Sequence, residues 1–238
     1  MQATLENSEA QPATLKLSII IPTLNEAESI INILTALQPI RQQGHEVIVC
    51  DGGSSDNTAV LAQPLVDTLV QSERGRALQM NSGASHASGD ILLFLHADTQ
   101  LPDNAALLIE EALNRKTWGR FDVRLTGQQP LLRLIEYMMN RRSQLTGICT
   151  GDQAIFIRQG LFRAIGGYPD IALMEDIAIS RMLKPQSHPA RIKTAVLTSS
   201  RRWERRGILQ TVLLMWWLRL AYFFGRDPEQ LAKRYQQG

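Results

Sequence analysis

Between residues 16 and 115 the chain alternates short, largely apolar runs with segments of helical spacing. Leu17–Ile21 (LSIII, closed by Pro22), Glu46–Cys50 (EVIVC) and Ile91–Leu95 (ILLFL) lack regular polar alternation, and so predict strands covered on both faces. Val66–Val70 predicts a weaker strand. Apolar positions at Ile30, Ile31, Leu34 and Leu37 predict a helix over Glu26–Leu37, and further helices follow over Gly75–Ala87 and from Pro102-Asp103 to Leu113. Ser55 or Asp56 is placed to cap a helix ending near Leu61. Strand and helix in alternation predict an α/β fold with a mostly parallel sheet and right-handed crossovers.

Beyond residue 115 the rhythm changes. Phe121–Leu125, Ala154–Ile157 and Arg191–Val196 read as strands, and Leu131–Leu145, Gln159–Ile165 and Glu175–Leu183 as helices. No repeat or flexible linker separates the halves, so they are expected to share one sheet. Ile208–Phe224 (ILQTVLLMWWLRLAYFF) is apolar almost all round, but with 17 residues and Arg219 inside, it falls short of the roughly 20 a membrane span needs. It reads as a buried helix or as one lying against a bilayer surface, with Trp216, Trp217 and Tyr222 at headgroup depth. Residues 1–15 carry no basic or apolar signal region and read as a disordered tail.

Composition adds little until it is split. The chain has 238 residues, 44% of them hydrophobic, with 10 Pro and 16 Gly, as in an ordinary folded protein. Cys50 and Cys149 stand alone, which excludes a disulfide scaffold or zinc knuckle and makes a reducing, cytoplasmic compartment the default. The net charge of +2 conceals a division: residues 1–180 hold 13 Lys and Arg against 20 Asp and Glu, and residues 181–238 hold 12 against 3. A basic end implies an anionic partner. Because its arginines flank an apolar helix, nucleic acid is not the expected one.

In an open α/β sheet ligands bind at the carboxyl ends of strands, and three strand ends here are rich in polar residues. They are Pro22-Thr23-Leu24-Asn25-Glu26, Asp51-Gly52-Gly53-Ser54-Ser55-Asp56 and His96-Ala97-Asp98. No GxGxxG follows the first strand, which argues against a dehydrogenase, and no Gly-rich basic loop marks a nucleotidyltransferase. A nucleotide-sugar-binding protein without full activity, docked at a membrane, is the reading from a different class.

The segments SIIIPTLNE, VIVCDGGSSDNT, GRALQMNSGASHASGDILLFLHADT and GDQAIFIRQGLFRAIGGYPDIALMEDIAISRML resemble, in that order, the motifs of family 2 glycosyltransferases, enzymes of GT-A fold. The resemblance covers about residues 16–200 and implies a nucleotide-binding half (16–115), an acceptor half (116–200) and a basic, apolar helical segment (201–238). With HAD in place of DxD, the pattern is most similar to the small subgroup labelled arsenosugar-biosynthesis glycosyltransferases.

The resemblance implies a nucleotide-sugar donor, with Pro22, Thr23, Asn25, Glu26, Asp51, Arg76, His96 and Ala97 lining the nucleotide site. Asp51 would accept from the base N–H, a charge-assisted bond that favours uracil. It further implies a divalent cation, Mg²⁺ or Mn²⁺, on Asp98. Such ions are commonly held by one or two carboxylates plus substrate phosphates. His96 is open to ribose contact, a supporting role or metal ligation. Asp176 matches the family's catalytic base for an inverting transfer, with Glu175 beside it, and Gly151, Asp152 and Gln153 line the acceptor or donor-sugar pocket. Arg201 and Arg202, in a segment similar to QxxRW but with Ser199 for Gln, would face the diphosphate, and the missing Gln points to one sugar per acceptor. A small-molecule or lipid-linked acceptor and peripheral contact with an anionic membrane complete the expected partners.

Overall fold

The structure, a computed structural model, describes residues 15–237, apart from the side chains at 202, 205, 206, 236 and 237. The expected tail lies outside the described residues except for Leu15, which packs half-buried against the core.

The elements run in order as β1 Leu17–Thr23, α1 Ile30–Ala36, α2 Gln38–Gln42, β2 Glu46–Asp51, α3 Thr58–Ala62, β3 Thr68–Gln71, α4 Arg76–His86, β4 Ile91–Phe94, β5 Thr99–Gln100 and α5 Ala105–Leu113. They continue as β6 Trp118–Leu125, α6 Pro130–Thr146, β7 Ile155–Arg158, α7 Gln159–Ala164, α8 Glu175–Leu183, β8 Ala190–Thr198, α9 Arg201–Arg206, α10 Ile208–Phe223 and α11 Pro228–Gln237. One sheet of eight strands, in the order β3-β2-β1-β4-β7-β6-β8-β5, joins both halves. The strands are parallel from β3 to β4, whereas β7 pairs antiparallel with both β4 and β6. The sheet is therefore parallel over the first half and mixed over the second.

The apolar runs behave as their composition requires. Ile19, Ile20 and Ile21 of β1 are wholly buried, as are Val47, Ile48 and Val49 of β2, because helices cover both faces of the sheet. Pro22 lies inside β1 instead of ending it. Pairing between β1 and β4 stops at Ile20↔Phe94, so the N–H that Pro22 lacks falls beyond the end of β4. The first helix is shorter than its spacing predicts, since residues 26–29 form a turn ahead of Ile30. In α6, Pro130 occupies the first turn, where its missing N–H costs nothing, and Gly147 closes the helix at φ 67.

The last helices correct one expectation. Ile208, Thr211 and Leu218 of α10 are buried, while Leu209, Leu213, Trp216, Leu220 and Phe223 are more than half exposed. The helix is thus buried along a narrow stripe only. Among the described residues no helix is long and apolar enough to cross a membrane.

Candidate active site

The site is built where β1, β2 and β4 end. At the first two ends the polar groups are bound to one another. Asp51, buried at the end of β2, accepts from the N–H groups of Gly53 (3.1 Å) and Ser54 (2.9 Å) and from the hydroxyls of Ser54 and Thr23. A carboxylate offers about four acceptor positions, and these donors fill them. The Ser54 hydroxyl is itself tied in, accepting from Asn25 N at 2.9 Å while it donates to Asp51. Asn25 sits at φ 54, in the left-handed region, where its side-chain oxygen accepts from Ser55 N at 2.8 Å. Asp56 accepts from Thr58 N at 3.0 Å and Ala27 N at 3.1 Å, a turn and cap role.

Gln79 of α4 joins these strand ends from below. Buried, it donates to the carbonyls of Thr23 (2.7 Å) and Cys50 (2.8 Å). In the sequence it stands inside the helical run GRALQMNSG, one turn ahead of Gly83, which is buried on the same helix.

A cleft of about 150 Å³ opens beside these ends and gathers Arg76, His96, Asp98, Gly151, Asp152, Glu175 and Asp176, which come from four separate stretches of sequence. Ser199 and Trp203 also line it. Three further expectations are adjusted by the geometry. Gln153 is fully buried behind the wall, where its side-chain oxygen accepts from Ser143 and Thr150 N and fixes the turn at residues 151–153. Ala97 belongs to the core. Pro22, Thr23, Asn25, Glu26 and Asp51 sit at the neighbouring strand ends rather than in the cleft wall.

Within the cleft the acids have distinct surroundings. Asp176, half-buried, accepts from Gly151 N at 3.2 Å, which aims it across the turn that carries Asp152. Glu175 is buried and meets Arg76 Nη1 at 3.4 Å. Burial pushes the Glu175 carboxyl up from its ordinary value, partly countered by Arg76 and reinforced by Asp176. Arg76 is pushed down by burial, but the acids at 175, 152 and 176 outweigh this and raise it. His96 Nδ1 lies 3.3 Å from Asp152. Burial lowers the imidazole, and the Asp152 hydrogen bond together with the charges of Asp152 and Asp98 more than reverses the shift. The ring lies against Gly151 so closely that a methyl group there would overlap it, which is the requirement for glycine at 151.

Strain concentrates here. The three non-glycine residues at positive φ among the described residues are Asn25, Ala154 and Met174. One follows the first strand, one follows the 151–153 turn and one immediately precedes Glu175-Asp176. Such conformations persist where surrounding structure imposes them, and they cluster at functional sites.

Arg201, from the basic end, reaches Glu26 at 3.8 Å and Glu28 at 3.7 Å, and its Nε donates to Ser199 Oγ at 3.2 Å. It therefore lies across the nucleotide strand end. Arg202 lies outside the described side chains. Sequence reading passed over β5, whose Thr99 bonds the Thr198 hydroxyl at 2.8 Å, while Ser199 N donates to the Asp98 carbonyl at 3.2 Å, tying the end of β8 to the HAD segment.

Although several acids line the cleft, no three His, Cys, Asp or Glu side chains among the described residues stand close enough together to hold a metal ion by themselves. Asp98 stands half-buried in the cleft wall as a single carboxylate. That suits Mg²⁺ or Mn²⁺ held by one side chain and substrate phosphates.

The mixed sheet flanked by helices, with its polar strand ends beside one acidic cleft, has the GT-A fold of the solved structures it resembles. The chain belongs to glycosyl transferase family 2, whose pattern residues 18–165 match. It is 36% identical over 98 residues to the undecaprenyl-phosphate 4-deoxy-4-formamido-L-arabinose transferase of Yersinia pestis, covering 37% of this chain and 30% of that protein. The chain spans less than half the length of the curated relatives it matches. Among solved structures, it is similar to the mannosyltransferase PcManGT of Pyrobaculum calidifontis in complex with GDP-Man and Mn²⁺ (TM-score 0.60, 24% identity, 78% of this chain and 56% of that one). It is also similar to S. aureus TarS 1-349 in complex with UDP-GlcNAc (TM-score 0.64, 16% identity, 78% and 58%). These likenesses show the fold.

Proposed function

We propose that the chain is an inverting glycosyltransferase that moves one sugar from a uridine diphosphate sugar to an acceptor hydroxyl, with Mg²⁺ or Mn²⁺ held by Asp98. The observation that carries this reading is the convergence of Asp98, Asp152 and Asp176 with Arg76 and His96 in one cleft beside the Asp51 strand end. Residues 16–115 serve as the nucleotide half, 116–200 as the acceptor half and 201–238 as a helical segment at the cleft mouth. The HAD segment keeps the chain most similar to the arsenosugar-biosynthesis subgroup. The preference for uracil rests on Asp51 as acceptor.

The cation, when bound, offsets the charge of the departing diphosphate. Arg76 and Arg201 are the side chains placed to hold that diphosphate, and Arg76 exchanges its Glu175 partner to do so. Asp176, oriented by Gly151 N, takes the proton from the acceptor hydroxyl as its oxygen bonds to the anomeric carbon and the bond to the diphosphate breaks. Asp152, paired with His96, holds sugar or acceptor hydroxyls, and Glu175 positions Arg76. The exposed apolar side of α10 supports a cytoplasmic protein resting on the inner face of the membrane. The test is release of nucleoside diphosphate from a panel of UDP and GDP sugars, read by product mass. Turnover of a UDP sugar supports the reading, and a folded protein that turns over none contradicts it.

A further inference from the structure

A second cavity, of about 210 Å³, lies between α6 and α10. Its apolar wall is Ile135, Met138, Met139, Val212, Met215 and Trp216, and its polar wall is Arg142, Arg219 and Asp152. Asp152, Trp203, Met215 and Arg219 also line the catalytic cleft, so the two spaces share a wall.

The two guanidiniums are unusual neighbours. Arg142 Nε and Nη2 are shielded from solvent and find no hydrogen-bond partner among the described residues. Buried donors are nearly always satisfied, so an orphaned guanidinium calls for an explanation. Burial, and then the like charge of Arg219, pushes Arg142 down to about 10. Burial also lowers Arg219. Asp176 and Asp152 raise both arginines in part, yet burial and, at Arg142, the like charge of Arg219 still outweigh them, so a bound anion would relieve the remaining cost. The helix that carries Arg142 is firmly fixed: Asn140 exchanges two hydrogen bonds with Val123 of β6, at 2.9 and 3.0 Å, and Glu136 accepts from Leu125 N. The backbone that carries Arg142 is thereby fixed against the sheet.

We propose that this cavity is the acceptor subsite, and that the acceptor is an amphiphile whose anionic group lies between Arg142 and Arg219 and whose hydrocarbon portion fills the space between α6 and α10. The inference rests on the glycosyltransferase reading for its role. The anion is a handle, and the reacting hydroxyl belongs to the cleft at Asp176. Arg142 is a positioning residue: it touches the acceptor away from the bond that forms. A guanidinium gives a phosphate two parallel N–H donors, which suits it to this task better than a lysine. The exposed apolar residues of α10 continue the cavity wall outward and offer a long chain a path to the surface.

The experiment titrates decyl phosphate, decanol and inorganic phosphate separately into the full chain below micellar concentrations, reading tryptophan fluorescence, since Trp203 and Trp216 line the space. UDP binding is measured on the same samples. Decyl phosphate is expected to bind at least about tenfold more tightly than decanol or inorganic phosphate. Arg142→Met and Arg219→Met are each expected to weaken it by roughly tenfold to a hundredfold, the worth of hydrogen bonds to a charged group. Arg142→Met is expected to leave UDP affinity unchanged. Equal binding of decyl phosphate and decanol, unchanged affinity in both variants, or loss of UDP binding in Arg142→Met overturns the subsite. Wild-type protein that binds decyl phosphate but no UDP breaks the donor reading and leaves the subsite standing.

Discussion

The two halves of the site treat their polar groups in opposite ways. On the side proposed for the nucleotide, Asp51, Asp56, Asn25 and Gln79 spend their hydrogen bonds on neighbouring loop groups and on the strand ends. On the side proposed for the acceptor, Glu175 is buried beside Asp176, and half-buried Arg142 lies near Arg219 with two donors unmatched among the described residues. The first half is internally satisfied. The second holds charge that its own acids offset only in part. A preformed cradle suits the proposed nucleotide, because preorganised groups need no rearrangement when charge develops. An acceptor is recognised by what the protein leaves unsatisfied.

Substitutions on the two sides should therefore differ in kind, and the largest effect belongs to Asp176 in the cleft. Asp176→Asn removes only the proton acceptor, so transfer is expected to fall by about 10² to 10⁴-fold. UDP affinity should stay within about twofold, and equal loss of both would move Asp176 to the donor side. Next, Gln79→Ala removes two buried hydrogen bonds, to carbonyls that Gly52 N and the Thr23 hydroxyl also reach, and chemical denaturation should show a loss of about 1–3 kcal/mol. A loss below 0.5 kcal/mol, of the order expected for a surface change, would show that the nucleotide side is not held as described.

Arg142→Met should carry the opposite sign. Removing an unpaired buried charge while keeping the apolar stem is expected to stabilise by about 1–3 kcal/mol, raising Tm by roughly 2–4 °C for each kcal/mol in a chain of this length. A lowered Tm would mean that Arg142 is a structural residue. The smallest effect concerns pH. The folded state holds the Glu175 proton more tightly than the unfolded chain, whose carboxyl has the ordinary value of 4.5. The wild type therefore loses stability as pH rises from 4.5 through the raised value. Glu175→Gln is spared that loss, and its partner Arg76 is partly exposed, so the ion pair it forfeits is worth little. The variant's advantage should appear at pH 7 and vanish near pH 4. An advantage independent of pH would place its origin in packing.

How much of this was legible in the sequence depends on the range of the interactions. Continuous apolar runs announced β1, β2 and β4 because burial on both faces leaves no room for polar positions, and of the polar clusters after them the third, with His96 and Asp98, enters the cleft wall. Glu175–Leu183 was legible as a helix from its spacing, and the structure forms it over those same residues. β5 was not legible, because two residues carry no period and Thr99 joins the sheet only through Thr198. Gln153 reads as a polar residue in a glycine turn, and only the packing of α6 behind it turns it into a buried brace. Arg219 had a visible signal, a lone charge in an apolar helix, which demands a reason. Its companion Arg142 sits 77 positions earlier, in an ordinary amphipathic stretch, and no local pattern connects the two.

The charge division has a partial explanation in the same terms. Several arginines of the basic end are already occupied: Arg201 lies near Glu26, and Arg226 and Arg234 stack over the Trp217 ring at 5.6 and 5.3 Å. Arg219 is turned inward, toward the cavity shared with Arg142.

The central claim, a prebuilt nucleotide cradle completed by a cation on Asp98, is most directly tested by calorimetric titration of UDP into wild-type protein and Asp98→Asn, each with and without Mn²⁺. The account predicts that Mn²⁺ tightens UDP binding to the wild type by about tenfold or more, and that Asp98→Asn abolishes this gain while keeping the metal-independent affinity. Binding of UDP with the same affinity in all four titrations, or no binding in any, would contradict it.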